Sequence, residues 1–319
     1  MEQIPLFHDE FVLLNDAAGA LNDLRLDEAL LLLTDYRNLY PHNSEDVEEK
    51  LRIIGFLQKQ LSALPSSGPE LPRFLFQIWR SFESFCGALT HNVRAPEKLR
   101  PRFFQRITAA VEEASLADDA LLAGDIPVGY SYIQTGEYER AIRSLQTCLL
   151  STRESAPLFG YLGDAWWGRG NRNTARQLYF EACLIAPCAI DWQHLRDEEL
   201  KNLLELLPGE YNWEQALACE WLPACAYIRR IFKPKMIRVL AELSAFTERY
   251  RQLQKAFRSN PDPVPAARIF TKGVVLCDNE PFLRNVRGID FADIRREMKS
   301  ADPVIFAEYM KELERRRRI

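Results

Sequence analysis

The chain has 319 residues, of which 47% are hydrophobic and 27% charged, with a net charge of −4 at neutral pH. That balance excludes a disordered or collagen-like chain and argues against global adhesion to nucleic acid or anionic lipid. No apolar run approaches the roughly 18 residues of a membrane span. The opening MEQIPLFHDEF lacks the basic-then-apolar order of a secretory signal, so a cytoplasmic protein without a membrane partner is expected.

Taken in chain order, the predicted elements are helices. Residues 24–40 carry Leu26, Ala29, Leu30, Leu33 and Tyr36 at helical spacing, and Pro41 stops the run. Residues 44–64 begin with Ser44 as an N-cap and continue through Val47, Leu51, Ile54, Leu57 and Leu61. PSSGPELP (65–72) reads as a loop. Residues 73–89 place Phe74, Phe76, Ile78, Trp79, Phe82 and Phe85 around a helix buried on several sides. Another helix covers 95–115, and a Leu-rich stretch lies at 200–207. A long amphipathic helix is expected over 233–258, and NPDPVPA (260–266) reads as a linker. Beyond it, Ala266, Ile269, Phe270, Gly273, Val274 and Cys277 form one stripe. Asp290 and Asp302 are placed to cap the last two helices. The fold class is all-α.

Two stretches repeat. GYSYIQTGEYERAIRSLQTCL begins at Gly129, and GDAWWGRGNRNTARQLYFEACLIAP begins 34 residues later, at Gly163. The pairs Tyr132/Trp166, Gly136/Gly170, Ala141/Ala175, Leu145/Tyr179 and Cys148/Ala182 keep the same offset without a gap. This period and order resemble the tetratricopeptide repeat family, over about residues 122–187. Gly129 and Gly163 stand where a side chain would hold two helices apart. Gly136 and Gly170 stand where a left-handed residue ends the first helix. Tyr132, Trp166, Leu145 and Tyr179 fill the space between helices. A degenerate match, Ala20, Leu24, Ala29, Leu33, Tyr36 and Pro41, follows the same order. Ala29 precedes Ala141 by 112 residues, ten more than three periods, so it is out of register. YNWEQALACEW (211–221) hints at one further repeat.

The resemblance implies antiparallel helical pairs in a superhelix with flanking helices, and a groove lined by the first helix of each pair. The corresponding positions are Ile126, Tyr130, Ile133 and Gln134 in one repeat and Gly160, Asp164 and Trp167 in the next. They lack the Lys and Asn of the carboxylate clamp found in one subclass. The expectation is therefore an apolar patch for a peptide or amphipathic helix of another protein, with Trp167 as its anchor. Either the Phe-rich segment 74–85 or the C-terminal helix 303–317 could cover that patch. The expected division is an N-terminal helical region (1–116), a repeat region (117–259) and C-terminal helices (260–319).

Other signals are weaker. Arg94–Arg106 holds five basic residues and one acidic one around Phe103 and Phe104, a pattern that can bind RNA. The cations Arg315–Arg318 suit a helix C-terminus or phosphate. DWQHLRDE sets His194 between Asp191 and Glu198, a spacing open to a metal or an acid–base pair but more typical of a surface ion pair. The seven cysteines contain no Cys-x-x-Cys pair and sit in apolar company, so reduced core thiols are expected. Without a Gly-rich phosphate loop or a nucleophile motif, neither enzyme activity nor a cofactor or metal is expected. An interaction module is the leading reading. The alternatives are a nucleic-acid-associated protein using the Arg94–Arg106 face, or an enzyme assembled from distant residues.

Overall fold

The computed structural model describes residues 9–41, 44–152, 154–259, 262–284 and 289–317. The chain divides into two compact units, Met1–Cys148 and Leu149–Ile319. The division falls between the two repeats, not near residues 116 or 260. Among the described residues all regular structure is helical except one two-stranded ribbon.

In the first unit α1 (Asp9–Asn22) folds against α2 (Leu26–Leu39), followed by α3 (Ser44–Ser62), α4 (Leu71–Gly87) and α5 (Ala95–Glu113). The Phe-rich α4 is buried on one broad face and not on several sides as its aromatic density suggests, since Phe74 is exposed and Phe85 half-buried. Phe76 and Trp79 pack with Phe103 and Phe104 of α5, Phe82 packs with Trp79, and all five are buried. Glu49 on α3 closes the α4–α5 turn by accepting the backbone N–H groups of Thr90, His91 and Asn92. A short ribbon, β1 (Leu121–Ala123) and β2 (Ile126–Pro127), occupies positions expected to be helical. Then come α6 (Val128–Thr135) and α7 (Tyr138–Ser151), the first repeat. The degenerate N-terminal match is an α1–α2 pair whose Ala20, Ala29, Leu33 and Tyr36 are buried.

The second unit opens with the other repeat, α8 (Ala156–Gly168) and α9 (Arg172–Ile185). It continues through α10 (Glu198–Tyr211), α11 (Gln215–Ile228), α12 (Leu240–Ser259), α13 (Pro263–Asp278), the short α14 (Glu280–Leu283), α15 (Phe291–Ala301) and α16 (Pro303–Arg317). Asp290 and Asp302 cap α15 and α16 through Ala292, Val304 and Ile305 backbone N–H groups, as their sequence positions predict. The side chain of Ser44 and residues 260–261 lie outside the described residues. Pro263 and Pro265, expected in a linker, instead start α13, where the first-turn N–H groups have no partner to lose. α13 packs on α12, so no domain boundary follows residue 260. The helix expected from residue 233 begins at Leu240. Residues 229–239 form a non-helical strap instead, a turn followed by irregular chain.

Six helices end in one hydrogen-bonded turn. The N–H groups of Arg25, Leu116, Glu137, Asn171, Trp213 and Ile231 reach back five residues to the carbonyls of Ala20, Val111, Tyr132, Trp166, Pro208 and Ala226. The residue before each donor is left-handed: Leu24, Ser115, Gly136, Gly170, Asn212 and Arg230. Gly136 and Gly170 were legible as caps, whereas Leu24, Ser115 and Arg230 were not. Inside the repeats, a methyl on Gly129 would stand 2.9 Å from Leu145 Cγ and Ser144 Oγ, and one on Gly163 would overlap the Tyr179 ring.

Candidate functional site

The residues expected to line a groove do not form an open patch. Tyr130 is 5% exposed and Ile133 1% exposed. The Tyr130 ring stands edge-on to Phe76 and Phe104 at 6.1 and 5.7 Å, so the Phe-rich α4 with α5 covers it. Ile126 lies in β2, half-buried, as is Gln134 on α6. In the second unit Gly160 faces Ile190, and Asp164 is buried rather than placed at a groove edge. Asp164 Oδ1 accepts the Tyr179 hydroxyl at 2.6 Å and the Arg196 backbone N–H at 2.9 Å. Burial pushes its pKa up to about 7, against the pull of those two donors.

Trp167 is half-buried, not an exposed anchor. Its ring lies 6.5 Å from Tyr179, and the guanidinium groups of Arg172 and Arg176 sit over it at 5.1 and 5.7 Å. Trp166, expected in the core, is also half-buried, with Arg169 5.1 Å over its ring.

Arg176 leads from Trp167 to a cavity between α9 and the strap. One wall is a stripe of α9: Asn173, Arg176, Gln177, Phe180 and Glu181, which helical spacing puts on one face. The other wall is the strap, with Arg230, Ile231, Lys233, Lys235 and Met236. The cavity holds about 260 Å³. Phe180 and Ile231 give it an apolar floor, and Phe180 stacks on Phe232 at 4.9 Å. Arg176 donates to Asp197 at 2.8 Å and to Glu199 at 2.5 Å. Burial opposes its charge, but these carboxylates outweigh burial and hold its pKa above the usual arginine value. Lys235 pairs with Glu181. Lys233 Nζ donates to Asn173 Oδ1 at 2.8 Å.

The strap is fixed from behind. The fully buried Asn279 accepts the Ile237 N–H at 2.8 Å and donates to the carbonyls of Lys235 and Val275 at 2.7 and 2.8 Å. Asp278 accepts the Tyr227 hydroxyl at 2.5 Å and the Lys235 N–H at 3.3 Å. Burial raises the Asp278 pKa to about 6. The non-helical backbone at Lys235 and Ile237 thus has its polar groups met by the end of α13.

No family model, curated protein or solved structure matches the chain.

The remaining sequence signals resolve into structural contacts. His194 Nδ1 lies 2.9 Å from Asp191, while Glu198 pairs with Lys201 instead. Among the described residues no three His, Cys, Asp or Glu side chains converge as a metal site would require. Phe103 and Phe104 are buried in the core, which removes them as base-stacking platforms from the Arg94–Arg106 face. Arg100 pairs with Glu83 and Arg102 with Asp23. In the C-terminal cation run, Arg316 reaches Glu312 and the Tyr227 hydroxyl. Arg318 lies outside the described residues. Among them, no helix is long and apolar enough to cross a membrane.

The strap escaped the sequence reading because Met236, Leu240 and Leu243 keep helical spacing. Its signal was local: RRIFKPKMIR holds five cations and no acid, and Pro234 disfavours helix at the residue before it.

Proposed function

We propose that the chain is a helical interaction module of the tetratricopeptide kind, which binds a segment of another protein rather than turning over a substrate. The observation that supports this is the cleft between α9 and the strap, with its apolar floor, polar rim and backbone held rigid by Asn279. A preformed cleft of this kind receives side chains without an ordering cost. The proposed binding surface is therefore displaced from the positions the repeat pattern suggested. Trp167 contributes through Arg176, not as an exposed anchor. The test is site-specific photo-crosslinking in cells. A benzophenone side chain at Met236, on the cleft rim, should capture a defined polypeptide that the same group at Leu206, exposed on α10, does not. Identical capture patterns from both positions would remove the cleft as the binding surface.

A further inference from the structure

The cleft offers more hydrogen-bond donors than acceptors. Four cations line it, Arg176, Arg230, Lys233 and Lys235, against one carboxylate, Glu181, which Lys235 already holds. The acids that serve Arg176 and Arg230, namely Asp197, Glu199 and Glu312, are not among the lining residues. Lys233 differs from the other three. Its partner is a neutral amide oxygen, and an ammonium carries three donors, so two remain for an incoming group. Arg230, which also lines the cleft, commits Nε to Glu312. Arg230 also occupies the left-handed region at φ 64°, a conformation that disfavours a side chain and is held here by the α11 turn and the Glu312 pair. Beside these donors, Met236 is 45% exposed, and Phe180 and Ile231 form the floor.

We infer that this cleft selects an acidic stretch of the partner, with an anionic side chain received at Lys233 and an adjacent apolar side chain laid against Met236 and the floor. The inference rests on the reading of the chain as a partner-binding module. A carboxylate and a phosphate monoester offer the same acceptor chemistry to an ammonium, and the test separates the two.

The test measures binding of the full chain to three pools of short fluorescent peptides with degenerate flanks. The pools are centred on glutamate, phosphoserine or glutamine. The glutamate or the phosphoserine pool should bind about tenfold or more tightly than the glutamine pool, as expected for a hydrogen bond between charged groups. The tighter of the two identifies the anion. Lys233→Glu should erase that preference. Lys233 is exposed, so this variant should melt with the parent. Lys233→Arg should retain the preference. Equal binding of all three pools, or a preference that survives Lys233→Glu, overturns acidic selection and leaves partner binding standing. Failure of every pool to bind at millimolar concentration overturns the partner-binding reading as well.

Discussion

Asp164 holds a buried carboxyl between Tyr179 and the backbone of Arg196, and its pKa of about 7 makes the fold sensitive to pH. The unfolded chain releases this proton near pH 4, whereas the folded chain keeps it until about pH 7. Between those values the native state binds the extra proton, so its stability falls as pH rises. Asp164→Asn retains the accepting oxygen and removes the titration. Denaturant melts of parent and variant from pH 4 to 7 should diverge, the parent losing on the order of 3 kcal/mol relative to the variant. Parallel curves would show that Asp164 is ionised throughout. Gly163 is the second residue with a defined role. Gly163→Ala should cost about 1–3 kcal/mol, because the new methyl meets the Tyr179 ring. Trimming that ring in Gly163→Ala/Tyr179→Leu should give less than the sum of the two single losses. Strict additivity would place the strain elsewhere.

At the scale of elements, the strap and its support form one unit. Asn279→Ala leaves the Ile237 N–H and the Lys235 carbonyl without partners in a buried place. The expected loss is about 2–3 kcal/mol, and hydrogen exchange should quicken at Ile237 before it does in α9. Uniform exchange across both would show that the strap has no separate opening. This element also marks where the sequence was legible. The hairpins α6–α7 and α8–α9 were readable because glycine is required twice in each, once for a close approach and once for a left-handed turn. Helices α4, α5, α13 and α16 were readable from apolar spacing and caps. The turns at Leu24, Ser115 and Arg230 were not, since their left-handed backbone is imposed by the surrounding packing and not by residue type. None of the residues that line the cleft was legible as a site in the sequence. Tyr130, Ile133 and Asp164 matched a groove pattern in spacing, but burial depends on which other helices lie above them. No local pattern states that.

Over the whole molecule, the cysteines report on packing in both units. Cys86, Cys148, Cys183, Cys219 and Cys225 are buried, Cys277 is half-buried and Cys188 is exposed. Burial raises the pKa of the Cys188 thiol even so, and raises that of Cys86 to about 12. Titration of the native chain with an aromatic disulfide reagent should therefore modify Cys188 first and slowly, Cys277 next, and the other five only on unfolding. Under denaturing, non-reducing conditions all seven thiols should react. Rapid native modification of several buried thiols would mean that the helical cores open far more readily than their packing implies.

The strap's hydrogen bonds also set an order of events in time. The helix-ending turns close across five residues, whereas Ile237 meets Asn279 from 42 residues away and Lys235 meets Asp278 from 43. Local closures are the fast ones, and distant contacts wait for the elements that carry them. In refolding, helical circular dichroism should therefore return before exchange protection appears at the Ile237 N–H. A nascent chain would carry Lys235 and Ile237 well before Asn279 emerges to lock them, so it passes through an interval in which its helices exist and the cleft between α9 and the strap does not.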